Sequence, residues 1–287
     1  KNNMSLTEEQ VEAFGRDGCL VVEGFLSSDE CDEIKQRAYK IITEADLSKH
    51  PMVTFETRAN KQATSNYFIT SGDKIRFFFE EGAVDEQGKL TVPIDRALNK
   101  MGHALHALDP VFKNYTFGDK VKGVAQSLKL KRPTIVQSMV IFKQPNIGGD
   151  VRPHQDSTYL DTTPRSLIGF WIALEDADVE NGCLWFIPGS QGTEVRQRMV
   201  RTTIDGALAT KFEGTQLDVK EEDFVAAPVK KGALVLIHGQ VIHKSEMNKS
   251  PRSRNIYTFH LYDAGVSEWS KDNWLQPSEE LPFPYLY

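Results

Sequence analysis

The sequence predicts a mainly β fold, an antiparallel sandwich or jelly roll, behind a helical N-terminal cover. From Thr134 onward, short β-branched and aromatic runs alternate with turn residues, and no helical periodicity separates them. Ahead of that region stand two helix starts with capping-box spacing, Thr7-Glu8-Glu9-Gln10 and Ser27-Ser28-Asp29-Glu30. There is no internal repeat. A chain of 287 residues is within reach of one β unit with helical additions. A single domain over 4–287 is therefore expected, with the cover at about 4–130 and the β core at about 131–265.

Val11 and Phe14 follow Thr7 at helical spacing, so the first helix is short and ends by Gly18. Cys19-Leu20-Val21-Val22 reads as a strand. The second helix carries an apolar stripe of Cys31, Ile34, Ala38, Ile41 and Ile42. Residues from His50 to Thr70 are polar and aperiodic, as a surface loop or lid would be. Turns at Ser71-Gly72-Asp73 and Asp85 to Gly88 flank the run Phe77-Phe78-Phe79 and predict a strand pair between Ile75 and Val92. Leu98, Met101, Leu105 and Leu108 recur at three and four, which predicts a helix over 95–108, and another is expected over 120–128. Strands follow at Ile135 to Phe142, Leu167 to Leu174, Leu184 to Ile187, Ala233 to Ile237 and Ile256 to Tyr262. Residues 191–231 are mixed in charge and poorly patterned, and read as a large insertion between strands.

Hydrophobic residues at 40% and charged residues at 26% are ordinary for a globular chain able to bury a core. The net charge of -6 leaves no basic footprint, which argues against nucleic acid or an anionic membrane as partner. Cys19, Cys31 and Cys183 are odd in number and form no CxxC pair, as expected of reduced thiols. No run approaches the roughly 18 apolar residues of a membrane span, and no signal-peptide layout is present. A cytoplasmic protein acting on a small molecule is expected.

The chemistry begins at His154-Gln155-Asp156. Chance alone supplies about one such pair in a chain with 7 His and 40 acids, so the motif needs context. Residues i and i+2 of an extended segment share a face, so the imidazole and the carboxylate can converge on one ion. Two His and one carboxylate leave open positions, the pattern of non-haem Fe(II) oxygenases. The other histidine would come from His50, His103, His106, His238, His243 or His260. His103 and His106 sit three apart with no acid at helical spacing, which favours a packed role. His238 and His243 both end apolar runs, and periodicity does not choose between them.

The segment from Asn181 to Ser190, Asn-Gly-Cys-Leu-Trp-Phe-Ile-Pro-Gly-Ser, lies between this motif and His243-Lys244-Ser245-Glu246-Met247-Asn248-Lys249-Ser250. Together they resemble the phytanoyl-CoA dioxygenase family, and the likeness runs from the first helix to the C-terminus. The resemblance implies a double-stranded β-helix, the cupin-like form of the jelly roll, with Fe(II), 2-oxoglutarate as cosubstrate and ascorbate as a supporting reductant. It makes His243 the distal ligand beside His154 and Asp156. It also implies dioxygen and a small-molecule substrate, acyl-CoA-like by the family's name, with succinate as coproduct.

The far carboxylate of 2-oxoglutarate needs a fixed cation, and arginine offers a planar fork that lysine lacks. Arg252 and Arg254 share strand parity. The family places its arginine eleven positions after the distal histidine, which is Arg254 here. Lys100, Met139, Gln155, Trp171 and Ser245 match the rest of the family's cosubstrate pocket. Gly169 and Ala173 share the face of Trp171, and their small size is expected to leave space for a ligand beside the ring. Where many family members have His after Ile187-Pro188-Gly189-Ser190, this chain has Gln191. The alternative class is a catalytically silent sensor or adaptor on the same scaffold. A halogenase is disfavoured by Asp156, and a zinc hydrolase or isomerase would not need the arginine.

Overall fold

Capping chemistry sets the first elements. In the computed structural model, which describes residues 4–46, 54–55 and 66–287, Thr7 and Ser27 each close a reciprocal capping box. These start α1 (Glu8–Asp17) and α2 (Ser28–Glu44), with β1 (Cys19–Val22) between them. Gly18 ends α1 at φ 73, a left-handed conformation that glycine takes without cost to a side chain. Helix α2 buries Cys31, Ile34, Ala38 and Ile42, the face its periodicity predicts.

The loop expected over 50–70 falls largely outside the described residues. Within it, Thr54–Phe55 form β2 and Asn66–Ile69 a helical turn, α3. Strand β3 (Ile75–Glu80) does not pair with the segment before Val92, where only an isolated Val84 to Leu90 bridge forms. Its partner is β4 (Leu98–His103), with Ile75 opposite His103 and Phe78 opposite Lys100. This corrects the helix expected over 95–108. Only α4 (Ile94–Ala97) and α5 (Leu105–Leu108) are helical there. The three-and-four spacing was accidental: Leu98 and Met101 reach the core from a strand, and Leu108 is 52% exposed. Sheet pairing on both edges of β4 overrides the local pattern. Helix α6 (Pro110–Thr116) was not expected. It is started by Asp109, which accepts from the Val111 and Phe112 amides, with Pro110 in the first turn. Helix α7 (Asp119–Ser127) lies as expected.

The later strands are β5 (Pro133–Ile141), β6 (Val151–His154), β7 (Thr162–Thr163), β8 (Ile168–Ala173) and β9 (Leu184–Phe186). They continue as β10 (Gln197–Ile204), β11 (Ala207–Gly214), β12 (Val225–Ala227), β13 (Leu234–His238), β14 (His243–Ser245), β15 (Ile256–Asp263) and β16 (Glu268–Trp269). The large sheet runs β1-β13-β8-β15-β5-β4-β3-β2, antiparallel except for β2 with β3. A smaller antiparallel sheet, β12-β9-β14-β6, faces it. This is a jelly roll whose sheets are not closed into a barrel.

Alternation along the strands divides the apolar residues between two faces. Phe170, Ile172, Tyr257 and Phe259 face outward and meet Phe14, Ile34, Phe112 and Val124 from the helices. Trp171, Ala173, Val235 and Ile256 face inward and meet Leu184 and Ala227 of the smaller sheet. Each such large apolar side chain contributes about 1.5–3 kcal/mol when fully buried. The insertion at 191–231 is more ordered than its composition suggested: β10 and β11 form a regular hairpin around Asp205-Gly206, both at positive φ.

Candidate metal centre

His154 ends β6, and Asp156 opens the 3-10 turn that follows, Asp156–Thr158. His243 starts β14 and lies opposite His154 in the antiparallel register. The two rings therefore meet with centroids 4.2 Å apart. His154 Nδ1 lies 2.8 Å from the Arg152 carbonyl and His243 Nδ1 lies 3.1 Å from that of Val241. A carbonyl only accepts, so both Nδ1 atoms donate and both Nε2 atoms are left as ligands. Each Nε2 faces Asp156 Oδ1, at 3.4 Å and 3.5 Å respectively. Three ligand atoms thus converge from one pair of strands. It is the one His/Cys/Asp/Glu cluster of metal-holding geometry among the described residues.

Burial opposes the Asp156 charge, but the fields of His243 and His260 and the hydrogen bonds from His154 and His260 outweigh it and hold the carboxyl well below its usual range. Burial pushes His243 down to about 4, with a further contribution from the neighbouring His154. Burial opposes a charge on His154, but its contacts with Asp156 outweigh it and raise that imidazole; a bound divalent cation would require the carboxylate ionised and both imidazoles neutral.

The inner face of the large sheet forms rows across strands. Lys100, Ile141, Ile256 and Ala173 make one row; Gly102, Met139, Thr258 and Trp171 make the next; Gln137, His260 and Gly169 make a third. Lys100 is thus a strand residue, buried with its Nζ 5.3 Å from the Phe78 ring centroid, and burial pushes it down to about 7. Met139 is half-buried and packs on Gly102. The space at Gly169 is not free beside Trp171: a Cβ there would lie 3.3 Å from His260 Nε2 and 3.4 Å from Asp156 Oδ2.

Arg254 is 2% exposed and stands 5.3 Å above the Trp171 ring centroid. Its Nη1 donates to the Gly182 carbonyl at 2.7 Å and lies 3.3 Å from Ser245 Oγ. Its Nε is buried with no hydrogen-bond partner. No carboxylate pairs with it among the described residues. Burial lowers it to about 10, which leaves it charged at neutral pH. Arg252 is the opposite case, on the surface and paired with Asp178 at 2.8 Å. Ser245 shares a strand face with His243, so the arginine and the triad are linked through β14.

Gln155 does not join the cluster through its side chain. Its amide donates to the Gln240 carbonyl at 2.8 Å and lies 3.3 Å from Thr193 Oγ1. Gln191 donates to the carbonyls of Gly15 and Arg16 and so satisfies the C-terminal end of α1. His103 and His106 are buried on Ser71 and Ser138 and take no part, and His238 accepts from the Gln240 amide. Sequence reasoning considered His260 only as a ligand. Its signal was parity, since 254, 256, 258 and 260 fall on one face of a strand.

A jelly roll that brings together two imidazoles from its smaller sheet and a carboxylate from the turn after β6 has the fold of the non-haem iron and 2-oxoglutarate dioxygenases. The chain belongs to the phytanoyl-CoA dioxygenase (PhyH) family, whose sequence model matches residues 14–256. A Bos taurus relative, phytanoyl-CoA dioxygenase domain-containing protein 1, is 52% identical over 287 residues, covering 98% of this chain and 99% of its own. Among solved structures, the non-haem alpha ketoglutarate dependent carbocyclase SnoK of nogalamycin biosynthesis is similar at TM-score 0.64 and 18% identity, covering 97% of this chain and 96% of its own. The epimerase SnoN, solved in complex with Fe3+, alpha ketoglutarate and nogalamycin RO, is similar at TM-score 0.64 and 16% identity, with 98% of each chain covered. At these identities the structural likeness is one of fold.

Proposed function

We propose that this protein is an Fe(II)- and 2-oxoglutarate-dependent dioxygenase that hydroxylates a small molecule and couples this to conversion of 2-oxoglutarate to succinate. The observation that carries the reading is the convergence of His154 Nε2, His243 Nε2 and Asp156 Oδ1. Two imidazoles and one carboxylate suit iron, and the donor set lacks the thiolates of a closed structural zinc site. SnoN, with the same fold, was solved with Fe3+ and alpha ketoglutarate, another name for 2-oxoglutarate.

In this reading His154, Asp156 and His243 hold the metal. Arg254 receives the far carboxylate of 2-oxoglutarate, and its unpartnered buried Nε is the donor waiting for it. Ser245 and the Gly182 carbonyl fix the guanidinium, and Trp171 supports it from below. Lys100, which burial pushes down to about 7, supplies a buried amine that a bound carboxylate would favour in its charged form, while Met139 and Trp171 keep water from the pocket. Gln155 contributes by position, tying the strand end between the two ligands to Gln240 and Thr193. When bound, the metal with 2-oxoglutarate and dioxygen supplies the oxidising power, and the protein supplies geometry and electrostatics.

Tyr159 packs against His154, and Phe212 of β11 packs against Tyr159. Strand β10 lies against the turn that carries Asp156. These aromatics give the substrate an apolar lip, suited to the body of an acyl chain or another apolar small molecule. Aerobic incubation with Fe(II), 2-oxoglutarate and cell extract, followed by a search for metabolites heavier by one oxygen, tests the reading. A protein that binds metal and 2-oxoglutarate but yields no succinate and no oxygenated product would be the silent scaffold instead.

A further inference from the structure

We propose that His260 is a positioning residue that holds one oxygen of Asp156 away from the metal, so that the carboxylate offers a single ligand atom. The inference rests on the reading of His154, Asp156 and His243 as ligands, and goes beyond it to a residue outside the triad. Asp156 presents Oδ1 to both imidazole Nε2 atoms. Its other oxygen, Oδ2, lies 3.1 Å from His260 Nε2. The two oxygens of one carboxylate therefore have separate partners on opposite sides.

The far side of the His260 ring fixes the sense of that contact. His260 Nδ1 lies 3.2 Å from Gln137 Nε2. An amide nitrogen only donates, so Nδ1 accepts, and the ring N–H on Nε2 points at Asp156 Oδ2. With the amide reversed, a neutral ring would turn a lone pair toward the carboxylate, and the buried contact would become acceptor against acceptor. In this arrangement of Gln137, His260 and Asp156 both contacts are hydrogen bonds.

The sheet is built to allow it. Gln137, His260 and Gly169 lie in one row across β5, β15 and β8. Gly169 adjoins the meeting point: a Cβ there would lie 3.3 Å from His260 Nε2 and in ordinary contact with Asp156 Oδ2 at 3.4 Å. A carboxylate free to rotate would chelate through both oxygens and occupy a coordination position that a cosubstrate needs. Holding Oδ2 leaves that position open.

Co(II) binding, followed by calorimetry and by its visible ligand-field bands, tests the proposal without turnover. His260→Ala is expected to weaken Co(II) by about 10–100-fold, the usual effect of losing such a partner, and to change the bands. His260→Gln, which restores an N–H donor, should recover most of both. His260→Leu refills the space without a donor and carries the same expectation as alanine should that variant fail to fold. Affinity for 2-oxoglutarate at saturating Co(II) should fall by about tenfold or more although Arg254 is untouched, because the released Oδ2 would take the position that the cosubstrate needs. Wild-type Co(II) affinity and bands in His260→Ala or His260→Leu would overturn the proposal, provided Asp156→Ala has lost them. Wild-type Co(II) binding by Asp156→Ala would overturn the ligand reading and the proposal together.

Discussion

His154 and His243 face each other across the β6 and β14 pair, 4.2 Å between ring centroids, and both turn Nε2 to the same oxygen of Asp156. Replacing Asp156 with alanine leaves the two imidazoles in place but removes the charge between them. Asp156→Ala should abolish 2-oxoglutarate turnover and weaken Fe(II) binding sharply, as should His154→Ala and His243→Ala. Equilibrium dialysis against Fe(II) under nitrogen measures this, and full activity in His243→Ala would transfer the role to another histidine.

Arg254 and Arg252 should separate cleanly in kinetics. Leaving one partner of a buried charge pair alone costs about 3–5 kcal/mol. Arg254→Ala should therefore raise KM for 2-oxoglutarate by about two orders of magnitude or more, at tenfold per 1.4 kcal/mol. Arg254→Lys should recover part of this, since the ammonium keeps the charge but not the fork. Arg252, whose side chain is 48% exposed and paired with Asp178 and Glu180, should tolerate alanine with KM nearly unchanged. The reverse order would shift the register of β15 by two residues.

Lys143 is 6% exposed, and burial, assisted by Arg254, pushes it down to about 7. An unfolded lysine titrates near 10.4. Between those values the unfolded chain binds more protons than the folded one, so this group adds stability as pH rises. The stability of the unchanged protein relative to Lys143→Met should rise from pH 7 to 9, by at most about 1.4 kcal/mol per unit. Urea unfolding at three pH values reads it, and a flat difference would show that the folded lysine stays protonated across this range, as the unfolded one does.

Gly182 sits at φ +88, and an added Cβ would lie 2.7 Å from the Glu246 carbonyl and from Lys143 Cε. Its own carbonyl accepts from Arg254 and Ser245. Gly182→Ala should lower unfolding stability by about 1–3 kcal/mol through strain at positive φ. It should also weaken 2-oxoglutarate while leaving Co(II) affinity near normal, because the arginine moves and the triad does not.

Much of this was legible in the chain because it is local. The capping boxes at Thr7 and Ser27, the α2 stripe and the five later strands follow from short-range chemistry. The extended geometry of His154 and Gln155 follows too, while Asp156 already belongs to a 3-10 turn. The β10 and β11 hairpin was missed, because the mixed charge around Asp205-Gly206 hid the strands on either side. What the chain could not declare depends on distant pairing. Leu98 to Leu108 carries a helical spacing, yet β4 is fixed by β3 and β5 on its two edges. His243 was preferred to His238 by family resemblance, and only the β6 register puts it opposite His154. His260 comes to Asp156 from 104 residues away, a contact that no spacing rule contains.

The most direct test of the account measures succinate formed from 2-oxoglutarate in air by the purified protein, with Fe(II) or Zn(II) added, beside Asp156→Ala. Slow succinate release is expected with Fe(II) even without the true substrate, because in the proposed reading Arg254, Ser245 and Trp171 would hold the cosubstrate independently of it. None is expected with Zn(II) or from Asp156→Ala. Succinate from Asp156→Ala at the wild-type rate, or a zinc-dependent reaction without succinate, would contradict the assignment of the centre.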